Sequence, residues 1–458
     1  MEELQAEFPR SGSSRALPIS VLRRTAIAAL AGTSIEYYDF FLYGTASALV
    51  FPAVFFPSRV TATALLASFS TFAIGFLARP LGAVIFGHIG DRRGRKPALV
   101  IALLLMGIAT TLIGCLPSYA HVGPVAPVLL VALRLLQGLA LGGQWGGAIL
   151  IVTENAPACR RGFYGSFAQM GAPLGAIFAN VVFLGVSAAV GSDGLLSWAW
   201  RIPFLLSIAL IGVALITQFR LQDTVAFRAL QEMEAHGAGI GAGRSPVVES
   251  FRLFPKQILQ AAGAFVAMNV SFYVLVTFSL AYGSNASGLG IPSSTKLTGV
   301  LLGAIAMVPG TFLSSVISDR WGRRSILITS SALLACWAFA LFPFLNTRTL
   351  WGICTALCVG QFLNGMIFGP LAALFSEMFP AAVRYSGASL AYQLGAILGG
   401  ALAPLAATSL LIRFGTPVAV SIYMAAMCVI TIGAVWSISE PLSAQVPGRS
   451  CQLRNIRV

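Results

Sequence analysis

Glu36, Asp39 and Tyr43 follow one another at i, i+3 and i+7 inside an apolar run, which places two carboxyl groups and a phenol along one side of a helix. Arg79 and Arg134 lie in two other apolar runs, the second of which also holds Gln144. Ionisable groups set among hydrocarbon are costly, so they face a cavity or one another. Two acids and two guanidiniums can bind and release protons and can anchor an anion. Covalent catalysis and metal chemistry find no such support. The chain has no His-Glu-x-x-His pair, no phosphate loop ending in Gly-Lys-Ser/Thr and no Gly-x-Ser-x-Gly elbow. Its three histidines stand apart at 88, 121 and 236. Cys354 and Cys358 lie a helical turn apart with no histidine near them, and all seven cysteines read as small apolar residues. Neither an enzyme, nor a metal site, nor a cofactor is expected.

The chain that must position these groups has 458 residues, 57% of them hydrophobic and only 10% charged, with a mean hydropathy of +0.84. Soluble domains carry roughly a quarter charged residues. This chain cannot cover a water-facing surface, and its solvent is a bilayer. Apolar stretches of about 20 residues, the length that crosses one, recur near 25–50, 61–89, 97–117, 125–152, 163–189, 198–219, 257–283, 297–318, 326–345, 349–376, 385–410 and 417–438. They predict an all-α membrane protein of twelve transmembrane helices. Lipid offers backbone groups no partner, and the runs are too long and too uniformly apolar for barrel strands. Residues 1–24 are polar, lack the short apolar core and cleavage site of a signal peptide, and read as a tail.

The net charge of +14 first suggests nucleic acid, but its distribution says otherwise. Of 29 Lys and Arg, 22 fall in the tails and in one alternate set of loops, five fall in the opposite loops, and Arg79 and Arg134 lie inside spans. That bias orients a membrane protein, with both termini in the cytoplasm. A nucleic-acid partner is not expected. The longest polar connection, 220–256, divides a six-span unit at 25–219 from another at 257–438, followed by a tail at 439–458. Signals recur across it. Asp91, Arg92, Gly94 and Arg95 after span 2 match Asp319, Arg320, Gly322 and Arg323 after span 8 at an offset of 228. Glu154 and Arg161 match Glu377 and Arg384 at an offset of 223. Two independent motifs at corresponding places indicate a duplicated six-helix unit, a transporter architecture with its binding site between the halves.

Here the chain resembles the major facilitator superfamily over essentially all of residues 20–440. The Gly87-to-Lys96 loop, with Asp91, Arg92, Gly94 and Arg95, resembles that superfamily's best-known motif, and Arg134-Leu-Leu-Gln-Gly138 its second. The segments Glu36–Gly44, Arg79–Gly82 and Gly142–Gly147 resemble, more narrowly, the metabolite:proton symporters, which include shikimate, α-ketoglutarate and proline/betaine permeases. The resemblance implies that the charged loop groups, Glu154, Arg161, Glu377 and Arg384 among them, latch the cytoplasmic ends together in the outward-facing state. The competing reading is a set of surface ion pairs with topological duty only. One departure stands out: the family's usual Glu in the Gly142–Gly147 segment is Gln144 here, and an amide cannot carry a proton.

At about 1.5 Å per residue, Arg79 lies roughly 18 Å from the cytoplasmic end and Gln144 at a similar depth, with Arg134 farther out. Glu36, Asp39, Arg79 and Gln144 are therefore expected to converge at mid-depth. Asp39 is the first candidate proton carrier and Glu36 the second, Arg79 the anchor for an anionic substrate, and Arg134 the group that tunes the exchange. The alternative is a static buried ion-pair set that only holds helices in place. Tyr43, Gln144, Asn269, Tyr273, Gln361, Asn364, Tyr392 and Gln393 offer hydrogen bonds to substrate, or else join helices in lipid. Stripes at Gly138, Gly142 and Gly146, at Gly171 and Gly175, and at Gly395 and Gly399 read as close helix packing. Pro173 and Pro404 are candidate kinks. The expected function is import of a small organic metabolite, a carboxylate or zwitterion, with protons by a monomer in the inner membrane. A proton-driven exporter on the same fold is the alternative, and a membrane receptor, which lacks a signalling domain here, is the next.

Overall fold

The computed structural model describes residues 19–58, 60–93, 95–142, 145–219, 250, 252–283, 289–379 and 384–438. Their apolar runs form long helices, since in lipid a helix satisfies each backbone group within its own segment. We number them α1 (Ile19–Leu49), α2 (Thr61–Arg93), α3 (Arg95–Gly114), α4 (Val125–Gly142 and Trp145–Asn155), α5 (Arg161–Gly194) and α6 (Arg201–Phe219). The second set is α7 (Pro255–Tyr282, with a π-helical stretch at Val274–Phe278), α8 (Ser293–Trp321), α9 (Arg323–Asn346), α10 (Leu350–Met378), α11 (Arg384–Phe414, with a π-helical stretch at Ile397–Ala401) and α12 (Val418–Ser437). Among the described residues, nine helical segments are long and apolar enough to cross a membrane. Val100–Gly114 in α3 and Arg201–Gly212 in α6 are shorter apolar stretches, and α1 carries Glu36 and Asp39. The domain limits around the central connection fall largely on 220–249, outside the described residues.

The duplication seen in the loops extends into the packing. A side chain at Gly82 of α2 would strike the carbonyl of Leu139 in α4, and one at Gly310 of α8 would strike that of Phe362 in α10. Gly142 meets the Arg79 carbonyl as Gly365 meets that of Met307. These pairs keep the offsets of 228 and 223 found in the loops. Gly175 lies against the Ser34 carbonyl of α1 and Gly399 against the Val266 carbonyl of α7, an offset of 232 from α1 to α7 and 224 from α5 to α11. The small-residue stripes are thus helix crossings, with Gly138 on α2, Gly171 on α1 and Gly395 on α7. The side chain position of Gly146 lies outside the described residues. By the same equivalences Arg79 corresponds to Met307, Arg134 to Leu357 and Asp39 to Ser271, so the charged set has no counterpart in the second half.

Two of the three π-helical stretches among the described residues lie at the seam between the halves, the third being Leu195–Ala199 between α5 and α6. The π-helical stretch of α7 begins just after Tyr273, and Gly400 in that of α11 packs on Tyr273 and Phe76. Such stretches widen a helix and collect at functional places. Pro173 sits inside α5, and Pro404 opens the segment of α11 beyond the π stretch. Between α8 and α9, Gly322 turns the chain at φ 87°, a conformation that favours glycine and explains its place in the repeated loop motif.

Candidate functional site

The carboxyl groups of α1 point to different neighbours. Residues three apart are about 60° apart around a helix, enough to aim Glu36 and Asp39 at different helices. Glu36, 7% exposed, lies within electrostatic reach of Arg79 on α2. Asp39, 3% exposed, turns toward α3 and α6, where Ser207 Oγ donates to its Oδ1 at 2.6 Å and the Thr110 hydroxyl is within hydrogen-bonding reach. The expected meeting of both acids with Arg79 is corrected accordingly. Arg79 is the electrostatic neighbour of Glu36, and Asp39 belongs to the interior of the first bundle. Gln144, the fourth expected member, lies outside the described residues.

Arg79 stands at the seam. Its guanidinium lies over the Phe76 ring at 4.1 Å and the Phe40 ring at 4.4 Å, and its Nε has no hydrogen-bond partner among the described residues. From the second half, Tyr273 comes within hydrogen-bonding reach of it, and Tyr392 is an electrostatic neighbour. The Tyr392 hydroxyl meets that of Tyr37 on α1 at 2.7 Å, a direct bond between the halves. Gln393 Nε2 donates weakly to the Gly142 carbonyl across the seam at 3.5 Å, leaving its Oε1 unpartnered. Planar guanidinium, stacked rings and phenols make a setting that can take a carboxylate and an apolar or hydroxylated ring.

Arg134 is fully buried one turn farther out, its guanidinium against Gly75 of α2. It lies 4.0 Å from the Tyr43 ring centre, 4.9 Å from that of Phe72 and 5.0 Å from that of Phe40. Phe40 therefore touches both guanidiniums. Arg134 Nη1 donates to Gln137 Oε1 at 2.9 Å, while Nε and Nη2 have no partner. Tyr43 is turned to Arg134 and bonds Thr71 at 2.7 Å. Asn269 donates to the Phe265 carbonyl of its own helix at 3.3 Å, and packs on Gly399. Asn364 donates to Gln361 at 3.5 Å within α10, facing α8 through Gly303, with Gln361 Nε2 and Asn364 Oδ1 unpartnered. Glu36, Asp39, Arg79, Arg134, Tyr43, Asn269, Tyr273, Gln361, Asn364, Tyr392 and Gln393 are all under 10% exposed. Phe40, Phe76, Tyr37, Thr110, Gln137 and Ser207 join them without having been singled out in the sequence. The first three sit beside quoted residues and Gln137 lies inside the quoted Arg134–Gly138 segment, but a hydroxyl or amide in an apolar helix carries no mark of its partner.

The basic end, where the arginine-rich loops lie, is joined across the halves. Asp319 of α8 accepts from the backbone N–H groups of Gly162 and Phe163, its two oxygens at 2.9 Å each, and so caps the N-terminus of α5. Arg323 bridges Asp319 at 2.6 Å and Glu377 at 3.5 Å, and Arg384 bonds Glu154 at 3.3 Å from the other half. Arg161 lies among Glu377, Glu154, Arg384 and Arg323, and Arg320 is exposed. Gly87, Asp91, Arg92, Arg95 and Lys96 sit at the facing ends of α2 and α3. Their side chains, and Gly94 altogether, lie outside the described residues.

Comparison with known proteins follows the same lines. The Major Facilitator Superfamily profile matches residues 30–404. The inner membrane metabolite transport protein YhjE of Escherichia coli K12 is 39% identical over 427 residues, covering 91% of this chain and 94% of that protein. The shikimate transporter of the same organism is 37% identical over 418 residues, covering 91% and 94%. A proline/betaine transporter of Salmonella typhimurium is 32% identical over 392 residues, covering 84% and 77%. Among solved structures, the xylose transporter XylE of E. coli in a partially occluded inward-open conformation superposes with a TM-score of 0.69 at 18% identity, covering 92% of this chain and 98% of that one. By family profile, relatives and fold together, the chain belongs to the Major Facilitator Superfamily and is a multi-pass membrane transporter of small metabolites.

Proposed function

We propose that this transporter is a proton symporter that imports a small organic carboxylate or zwitterion by alternating access between its two six-helix halves. The observation that carries the reading is the buried Glu36 within electrostatic reach of Arg79 at the seam, faced by Tyr273 and Tyr392 from the other half. A substrate carboxylate competes with Glu36 for Arg79, so its arrival alters the charge balance of the site, and coupling of that kind is reciprocal. Shikimate, proline and betaine, named for two of these relatives, all carry a carboxylate that a guanidinium can hold. Asp39 is assigned as the proton carrier, with Glu36 as the group that answers to substrate. Gln144 cannot take a proton, which limits the carriers to α1 in this part of the chain. The loop bias of 22 basic residues against five puts the basic end, and both termini, in the cytoplasm of an inner membrane.

Purified protein in liposomes, under an inward proton gradient, tests the reading with radiolabelled shikimate, α-ketoglutarate, betaine and xylose. Accumulation of at least one carboxylate, abolished by a protonophore and by Asp39→Asn, is expected. Accumulation of xylose alone would exclude an acid substrate, and accumulation only when the gradient drives protons the opposite way would identify an exporter.

A further inference from the structure

Buried hydrogen bonds lead from Arg134 through Gln137 to Thr110, whose hydroxyl lies within reach of the Asp39 carboxyl. Arg134 Nη1 donates to Gln137 Oε1 at 2.9 Å. Gln137 Nε2 in turn donates to Thr110 Oγ1 at 2.7 Å. The Thr110 hydroxyl has one proton and two acceptors in reach, the Met106 carbonyl at 2.9 Å and the Asp39 carboxyl. Ser207 closes the far side of Asp39 at 2.6 Å. Arg134, Gln137, Thr110 and Ser207 are 1% exposed or less and Asp39 is 3% exposed, so water does not compete for these bonds.

The fold does not require this series of hydrogen bonds. At the equivalent places of the second half stand Leu357 for Arg134, Gly360 for Gln137 and Ser271 for Asp39, and the helices cross there all the same. Its charged end is also sensitive to the seam, because Arg134 shares the Phe40 ring with Arg79 and lies within electrostatic reach of Tyr273 from the other half. The ionisable group recorded beside Asp39 is Tyr38 on α1, whose hydroxyl is held by the Pro203 carbonyl of α6 at 2.8 Å, while Arg134 of α4 stands beyond Gln137 and Thr110. The α3 and α6 groups described as bonding the carboxyl are the hydroxyls of Thr110 and Ser207.

We infer that Gln137 and Thr110 are positioning residues for proton coupling, passing the position of Arg134 at the seam to the proton-binding carboxyl of Asp39. They move no proton themselves. When Arg134 shifts with the second half, Gln137 reorients, and the Thr110 hydroxyl turns between the Met106 carbonyl and Asp39. The inference rests on the symport reading, in which Asp39 carries the proton.

The test uses the full chain in liposomes with an acid identified by the transport screen. Thr110→Val and Gln137→Leu are expected to lower gradient-driven accumulation by about tenfold, the scale of one hydrogen bond to a charged group. They should displace the pH of half-maximal uptake by about half a unit or more, with gradient-free counterflow kept within about twofold. Thr110→Ser, which restores the hydroxyl, should restore both readouts. A wild-type pH profile and accumulation in Thr110→Val and Gln137→Leu would overturn the inference. Counterflow lost in both alike would also overturn it, since the residues would then serve binding or folding. Asp39→Asn separates the two levels: if it keeps gradient-driven accumulation, the symport reading fails at Asp39 itself, whatever the relay variants do.

Discussion

Replacing Asp319 with asparagine should open the basic end. In the closed arrangement its two oxygens accept from Gly162 and Phe163 at the start of α5, with Arg323 alongside. Asparagine keeps one acceptor and turns an amide N–H₂ toward a backbone N–H. The loss comprises one charge-assisted hydrogen bond, about 1.5–3 kcal/mol, and the attraction of a full charge to a helix N-terminus, about 0.3–1 kcal/mol. The Asp319 side chain is only 8% exposed, so solvent screens little of this. A total of about 2–4 kcal/mol shifts the closed-to-open ratio by roughly 30- to 700-fold. Spin labels at the exposed positions Arg160 and Trp321, in a background freed of native cysteines, report the gap between the halves by pulsed electron resonance. The variant should show a long-distance population that the parent lacks. Identical distance distributions in the two proteins would refute the cap as the element holding this end closed.

Arg79→Lys keeps the charge but loses the planar fork and the stacking on Phe40 and Phe76. Equilibrium binding of the transported acid should weaken by about tenfold or more, and unchanged affinity would place the carboxylate elsewhere. The Glu154–Arg384 bridge is part-exposed on both sides, so a double-mutant cycle with alanine, read by thermal unfolding, should return a coupling of about 0.5–1 kcal/mol. Gly142→Ala drives a methyl into the Arg79 carbonyl, a backbone atom that cannot rotate away. It should cost about 1–3 kcal/mol, visible as a lower melting temperature in detergent.

The sequence is a good guide wherever one physical term dominates. Burying charge in lipid is so costly that Glu36, Asp39, Arg79 and Arg134 stand out on composition alone, and the structure buries all four. Loop motifs at fixed offsets reveal the duplication, and the glycines of α4, α5 and α11 announce their crossings because only a missing side chain lets two backbones meet. Partner choice is another matter. Whether a carboxyl on α1 faces α2 or α3 depends on a rotation of about 60°, which the packing of large side chains such as Phe40 and Phe72 decides. Thr110 and Ser207 were not legible for the same reason, and Gln137, though part of the Arg134–Gly138 motif, gave no sign of its partner. Each is an ordinary polar residue in an apolar helix, indistinguishable from Thr311 or Ser315, whose hydroxyls bond their own helix.

The unequal halves bear on how the coupling can work. The backbone crossings of α2 with α4 and of α8 with α10 are equivalent, glycine for glycine, so the two bundles are built alike and can rock as like bodies. Their polar contents differ. The first half holds both acids and both guanidiniums, while the second meets them with the neutral Tyr273, Tyr392 and Gln393. A phenol or amide changes partner at a cost of about one hydrogen bond, whereas separating a buried guanidinium from its carboxylate costs several times more. With the ionised groups confined to one body, rocking need not tear any mid-depth ion pair apart between the halves. The attraction between Glu36 and Arg79 stays within the first half, where a proton or a substrate carboxylate can exchange for one partner, and the weak bonds at the seam are the ones that break and reform.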